Sequence, residues 1–179
     1  MAKKVLLLFI VFCSLQSFAQ EKLGRPFFTG SINFSIGLNE NYVLFQPDDD
    51  EYLIDFTGIF LRTGFGYEFQ KRVAISLNAG FDYHSRYAVS AIPTYGSLKY
   101  NITEREDDAF FVEMSYGKMW RPSNRYPDGN YYGFGIGSQF AGENRWNMIL
   151  KLDFHRKGIF GFKNNRIDSF SLGIGFSFF

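Results

Sequence analysis

From Asp168 to Phe178 the chain sets Phe170, Leu172, Ile174, Phe176 and Phe178 at alternate positions and fills the positions between them with Ser169, Ser171, Gly173, Gly175 and Ser177. Successive side chains of a β-strand point to opposite faces of its sheet, so this segment has one bulky apolar face and one that is nearly empty. A sheet of such strands must cover its apolar face, either with protein or with lipid.

The same period of two recurs along the chain. Phe28, Ile32, Phe34, Ile36 and Leu38 oppose Thr29, Ser31, Asn33 and Ser35, with Gly30 in the apolar set. Ile59, Leu61, Phe65, Tyr67 and Phe69 oppose Arg62, Gly64, Gly66 and Glu68, with Phe60 as the exception on the polar side. Val73, Ile75, Leu77, Ala79, Phe81 and Tyr83 oppose Ser76, Asn78, Gly80, Asp82 and His84. A looser run places Leu98, Tyr100 and Ile102 against Tyr95, Ser97, Lys99 and Asn101. Further runs set Phe110, Val112, Met114, Tyr116 and Trp120 against Glu113, Ser115 and Gly117, and Tyr132, Phe134, Ile136 and Phe140 against Gly133, Gly135, Gly137 and Gln139. Trp146, Met148, Leu150, Leu152 and Phe154 then oppose Asn147, Lys151, Asp153 and His155. With the last segment these predict eight strands, joined by connections at 39–53, 70–72, 85–91, 103–109, 121–130, 141–145 and 156–166. Long and short connections segregate to opposite ends, the pattern of an antiparallel up-and-down meander.

At the other end of the chain, Lys3 and Lys4 precede an apolar run from Val5 to Phe12 that closes on Ser17, Phe18 and Ala19. This reads as a secretory signal peptide over residues 1–19, removed to leave a single domain over 20–179. The apolar run falls far short of the roughly 20 residues that carry a helix across a bilayer. Cys13 follows Phe12, where a lipid-attachment site needs a small residue, and it is the one cysteine of the chain. Disulfides and a thiol nucleophile are therefore excluded from the mature domain. With 23 Phe and 18 Gly, the chain is 20% aromatic and still carries a net charge of only +1. Apolar residues diluted one for one by polar neighbours give this mixture.

Eight strands close into a soluble barrel with apolar residues inside or a membrane barrel with them outside, and volume separates the two. The interior of an eight-stranded barrel is just wide enough for side chains or one small ligand. The large, often aromatic residues of every strand do not fit there, while Gly, Ser, Asn and scattered charges do. The expected fold is thus all-β, an eight-stranded antiparallel up-and-down transmembrane β-barrel. Phe28, Phe69, Tyr100, Phe110, Phe140, Trp146 and Phe178 gather at the short-turn ends, and Tyr83, Trp120, Tyr132, Phe154 and Phe170 near the long loops, as two interfacial girdles. Because open edges are not tolerated in lipid, the first strand must pair with the eighth.

Face parity makes the turn at 70–72 three residues long and sets Arg62 opposite Gly80. A turn centred on Glu106 sets Lys99 opposite Glu113, which predicts an inward ion pair. A turn centred on Glu143 sets Lys151 opposite Gly135. Arg62, Glu68, Asp82, Lys99, Glu113, Lys151 and Asp153 thereby form an expected lumen ion-pair network that crosses a narrow interior and plugs it.

Catalytic signals are weak. His84 and Ser85 are adjacent, so they point to opposite faces, and His155 stands beside Asp153 without a nucleophile in an evident motif. The glycines at 133, 135 and 137 alternate within a strand and do not open a helix, so they are no phosphate loop. The acidic run at 48–51 lacks the spacing of a calcium loop and reads as a solvated loop. Arg121, Arg125, Arg156, Lys157, Lys163 and Arg166 are placed in the outward loops, where they meet lipopolysaccharide phosphates. No enzyme activity, metal, cofactor or nucleic-acid partner is expected.

The mature chain as a whole resembles the small outer-membrane β-barrel family of the OmpA and OmpX type. The resemblance rests on the signal peptide, the eight alternating segments, the alternating loop lengths and the aromatic C-terminal strand. It implies residence in the outer membrane of a Gram-negative cell, contact with outer-membrane lipid and lipopolysaccharide, and a monomeric barrel. It further implies recognition of the last strand, here Phe170, Leu172, Ile174, Phe176, Phe178 and Phe179, by the barrel-assembly machinery after delivery by periplasmic chaperones. Phe179 falls on the lumen-side parity, so it is expected to act as an exposed end tag rather than as part of the wall. The implied role is that of a non-enzymatic barrel whose surface loops make its contacts, with a narrow channel for ions or small apolar molecules as the alternative and a lipid-modifying enzyme as the third.

Overall fold

The computed structural model describes residues 24–38, 54–105, 108–121, 127–142, 145–160 and 165–179. The expected signal segment 1–19, the acidic run 48–51, Arg125 and Lys163 lie outside the described residues. The strands are β1 (Gly24–Leu38), β2 (Ile54–Phe69), β3 (Val73–His84), β4 (Val89–Arg105), β5 (Asp108–Trp120), β6 (Gly129–Ala141), β7 (Trp146–Gly158) and β8 (Arg166–Phe178). They follow one another around a closed antiparallel barrel, and β1 pairs with β8 from Phe28 opposite Phe178 to Ile36 opposite Phe170.

Every strand but β3 runs past the limits of its apolar alternation. Pairing is a backbone property and continues into the polar ends, so β4 begins at Val89 inside the expected loop 85–91, which shrinks to a 3-10 turn at Ser85–Tyr87 followed by Ala88. The turn after β2 pairs Phe69 with Val73. Gln70 and Lys71 both adopt positive φ, and the Arg72 N–H donates to the Phe69 carbonyl at 2.9 Å, the type I′ geometry that suits the twist of a hairpin.

The faces divide as the alternation requires. Phe170, Leu172, Ile174, Phe176 and Phe178 all lie on the outer wall, with Phe28, Phe65, Leu98, Met114 and Phe134. A continuous apolar girth of this kind is the wall of a transmembrane barrel, since a water-facing surface does not carry it. Between β1 and β2 a bulge at Ser35/Ile36 turns both Thr57 and Gly58 inward, and Thr57 Oγ1 lies 2.9 Å from Ser35 Oγ.

Candidate functional site: the lumen

The lumen is built from the even-numbered positions of β2 and β3 and the odd-numbered positions of most other strands, all carried to one axis by closure of the sheet. Arg62, Glu68, Asp82, Lys99, Glu113, Lys151 and Asp153 all face it, and their charges pair within 4.0 Å.

In the outer half, Asp82 of β3 takes the Arg62 guanidinium from β2 on one side and the Lys157 ammonium from β7 on the other. The Lys157 Nζ also donates to His84 Nε2 at 2.8 Å and lies 3.7 Å from the centre of the Phe60 ring. β3 and β7 are diametrically opposite in the barrel, so these contacts span the whole lumen. Phe60 packs on His84 and His155 with ring centroids 5.0 and 5.4 Å away. Ala91, Tyr95, Met119, Tyr131, Ile159 and Ile167 form an apolar cluster at the same end. Lys157, expected among the outward loop bases, is instead fully buried. The cause is that β7 runs on to Gly158, which keeps Lys157 on the parity of Lys151 and Asp153.

Halfway down, Lys151 Nζ lies 2.9 Å from Glu113 and 3.3 Å from Asp153. In the inner half, Lys99 Nζ donates to Gln139 Oε1 at 2.9 Å and stands 4.0 Å from Glu68, which Arg25 meets at 3.3 Å. Between these layers a cavity of about 60 Å³ is lined by Ser31, Asn33, Ser76, Asn78, Ser97 and Arg62 among others. Ser76 and Ser97 hydroxyls are 2.7 Å apart, and Asn78 Nδ2 donates to both. Arg62 Nε and Nη2 and Asn33 Oδ1 are buried without a hydrogen-bond partner among the described residues.

Two expectations need correction. Lys99 does lie opposite Glu113 in the register, but the two do not pair with each other. In a barrel this narrow, long side chains converge on the axis, so Lys99 finds partners on β2 and β6 and Glu113 finds Lys151 on β7. Lys151 lies opposite Gly137, not Gly135, whose register partner is Asp153. Moving a turn centre by one residue slides the register by two and keeps every face, so parity does not discriminate between neighbouring centres. Glycine still makes the room: a Cβ at Gly137 would sit 2.6 Å from the Phe111 ring, and one at Gly80 2.6 Å from Arg62 Nη1.

Alternation alone also understated the bulk of the inner face. Phe27, Phe60, Phe111, Met119 and Tyr131 are buried there, and each stands on the lumen parity of its own strand. Phe179 is no exposed tag. Its ring packs 6.0 Å from that of Phe27 at the inner end of the barrel, with the Arg25 guanidinium 3.5 Å above it.

His155 links Tyr131 and Ser171, its Nδ1 lying 2.8 Å from the tyrosine hydroxyl and its Nε2 2.8 Å from Ser171 Oγ. A hydroxyl on a histidine is the geometry of an activated nucleophile. Here Ser171 has no exposed surface and the third partner is a phenol, so the triplet braces β6, β7 and β8 and leaves no room for a substrate. Among the described residues, no group of three His, Cys, Asp or Glu is placed to hold a metal ion.

No protein-family model matches this chain, and no curated protein matches it in sequence. Among solved structures it is similar to the crystal structure of Neisserial surface protein A (NspA), with a TM-score of 0.61 and 10% identity over 87% of this chain and 97% of that one. A structure from the de novo design of transmembrane β-barrels is matched at a TM-score of 0.48 and 9% identity, over 86% of this chain and 92% of that one. The likeness to the Neisserial protein is one of fold, and it agrees with the wall and the strand order: the chain is an eight-stranded transmembrane β-barrel.

Proposed function

We propose that this protein is a non-enzymatic integral barrel of a Gram-negative outer membrane, exported by a signal peptide at 1–19, with a plugged lumen and surface-exposed loops that make its contacts. One observation carries the plugged reading: Lys157 of β7 bonds to Asp82 and His84 of β3, on the opposite side of the barrel, with Phe60 beneath it. An ion has no path past groups that meet on the axis, and paired buried charges resist separation. Conductance in planar bilayers tests this. Currents at baseline are expected, and large, long-lived open states in the wild type would overturn it.

The cavity of the inner half favours a second reading, a narrow channel, in which the inner layer admits a small solute and only the outer half closes the path. The same bilayer measurement separates the two.

In the proposed setting the outer wall meets outer-membrane lipid and lipopolysaccharide, and the barrel acts as a monomer. Phe170, Leu172, Ile174, Phe176, Phe178 and Phe179 are the strand that periplasmic chaperones and the barrel-assembly machinery read. Heat-modifiable gel mobility after outer-membrane fractionation is the expected result, and a soluble periplasmic protein without a mobility shift would refute the setting. Lipid A mass profiles from cells with wild-type protein and with His155→Ala should be identical, and a difference would reinstate an enzyme.

A further inference from the structure

Outside the lumen, the wall has a dent and a charge that belong together. Gly96, near the middle of β4 (Val89–Arg105), faces lipid between its register partners Leu77 of β3 and Tyr116 of β5. A Cβ at Gly96 would meet nothing closer than a carbonyl oxygen 3.9 Å away. The missing side chain leaves its neighbours bare: Leu77 is 76% exposed, Met114 63% and Tyr116 61%, against 50% for Leu98 and 49% for Phe134. The result is an apolar hollow bounded by these residues, Tyr132 and Arg156.

Following directly opposed residues from Gly96 leads through Tyr116, Tyr132 and Arg156 to Asp168. Gly96 is at mid-strand, whereas Arg156 stands just inside the outer end of β7, past the aromatic pair Phe154 and Phe170. The path therefore climbs from the middle of the wall to headgroup level, walled by the Tyr116 and Tyr132 rings at 5.1 Å. At its top Arg156 donates to both Asp168 oxygens at 2.9 and 3.0 Å, and Arg166 approaches the same carboxylate at 3.3 Å. One carboxylate between two guanidiniums leaves a net positive charge and free N–H donors, the chemistry that takes a phosphate.

We propose that this path is a seat for one acylated lipid with a phosphate-bearing headgroup, an acyl chain lying in the Gly96 hollow and the phosphate on Arg156 and Arg166. The proposal rests on the outer-membrane reading above, because it is the outer leaflet that presents such a lipid at the loop end of the barrel. Apolar and charged ends are matched to the two parts of the ligand, and neither part alone requires the other.

Native mass spectrometry of the full barrel titrated with bis-phosphorylated lipid A in mild detergent tests it. One bound lipid per barrel is expected. Gly96→Leu, which fills the hollow, and Arg156→Gln with Arg166→Gln should each weaken binding about tenfold, the scale of one lost charge-assisted or well-buried contact. Lipid A without its phosphates should bind the wild type as weakly. Gly30→Leu is the control, since Gly30 is another lipid-facing glycine with nothing within 4 Å of its Cβ position, but it is remote from the arginines. Equal weakening by Gly30→Leu, unchanged binding in Gly96→Leu, or a barrel dimer in place of the lipid adduct would overturn the seat. Fractionation of the same cells reads the membrane location independently, so loss of the seat alone is distinguishable from loss of the setting.

Discussion

In the outer half of the lumen Phe60, Met119, Tyr131 and Lys157 lose nearly all their exposure and meet across the barrel, whereas in the inner half Ser31, Asn33, Ser76, Asn78 and Ser97 stand back around a cavity. The backbone is the same closed sheet in both, so side-chain length makes the difference. Long residues at lumen parity reach the axis and interlock; short ones leave space that only hydrogen bonds and the layers above and below enclose. Contacts across the axis are thus densest in the outer half, while the inner half keeps a small cavity of mixed lining between Ser31, Asn33, Ser76 and Ser97 on one side and Phe27 and Phe111 on the other.

The largest expected effect is on conductance. Removing bulk from the outer half with Phe60→Ala and Tyr131→Ala should raise single-channel currents above baseline, while Lys99→Ala with Glu113→Ala, below that layer, should leave them there. Currents from the inner variant alone would reverse the assignment of the seal. Next is Asp82→Ala, which leaves two buried cations without a carboxylate and should destabilise the barrel by about 3–5 kcal/mol in reversible urea unfolding in vesicles. A loss below roughly 1 kcal/mol, the level of an exposed pair, would mean that these charges are hydrated. On the wall, Leu150→Lys should cost about 2–4 kcal/mol if that position lies near midplane, and a neutral result would refute the assigned face. Smallest is Ser76→Ala beside the inner cavity. It removes two hydrogen bonds, one with Ser97 and one accepted from Asn78, and should cost about 1–2 kcal/mol, and an effect as large as that of Asp82→Ala would erase the contrast between the halves.

The strands and their faces are legible in the two-residue period, including the inward placement of Arg62, Glu68, Asp82, Lys99, Glu113, Lys151 and Asp153. The burial of Lys157 is not legible there, because the apolar alternation stops at Phe154 whereas pairing extends to Gly158. His155 and Ser171 were visible at lumen positions too, but their contact joins β7 to β8 through a register that the alternation cannot supply. The Gly96 hollow had a local signal, a glycine where the lipid face calls for bulk. Its link to Arg156 did not, since the path crosses β5 and β6 to reach β7.

Which way each side chain points was determined by the sequence alone, because the two-residue period is a local consequence of backbone geometry. Edge closure followed from the same information, since lipid offers no partner to a bare strand edge. Which side chains touch was decided only by the tertiary structure. A register slide of two residues preserves every face, and in a closed barrel the inward groups of distant strands converge on one axis. That is why Lys99 passes over the Glu113 beside it for Gln139 and Glu68, and why Asp82 is held from the far wall by Lys157.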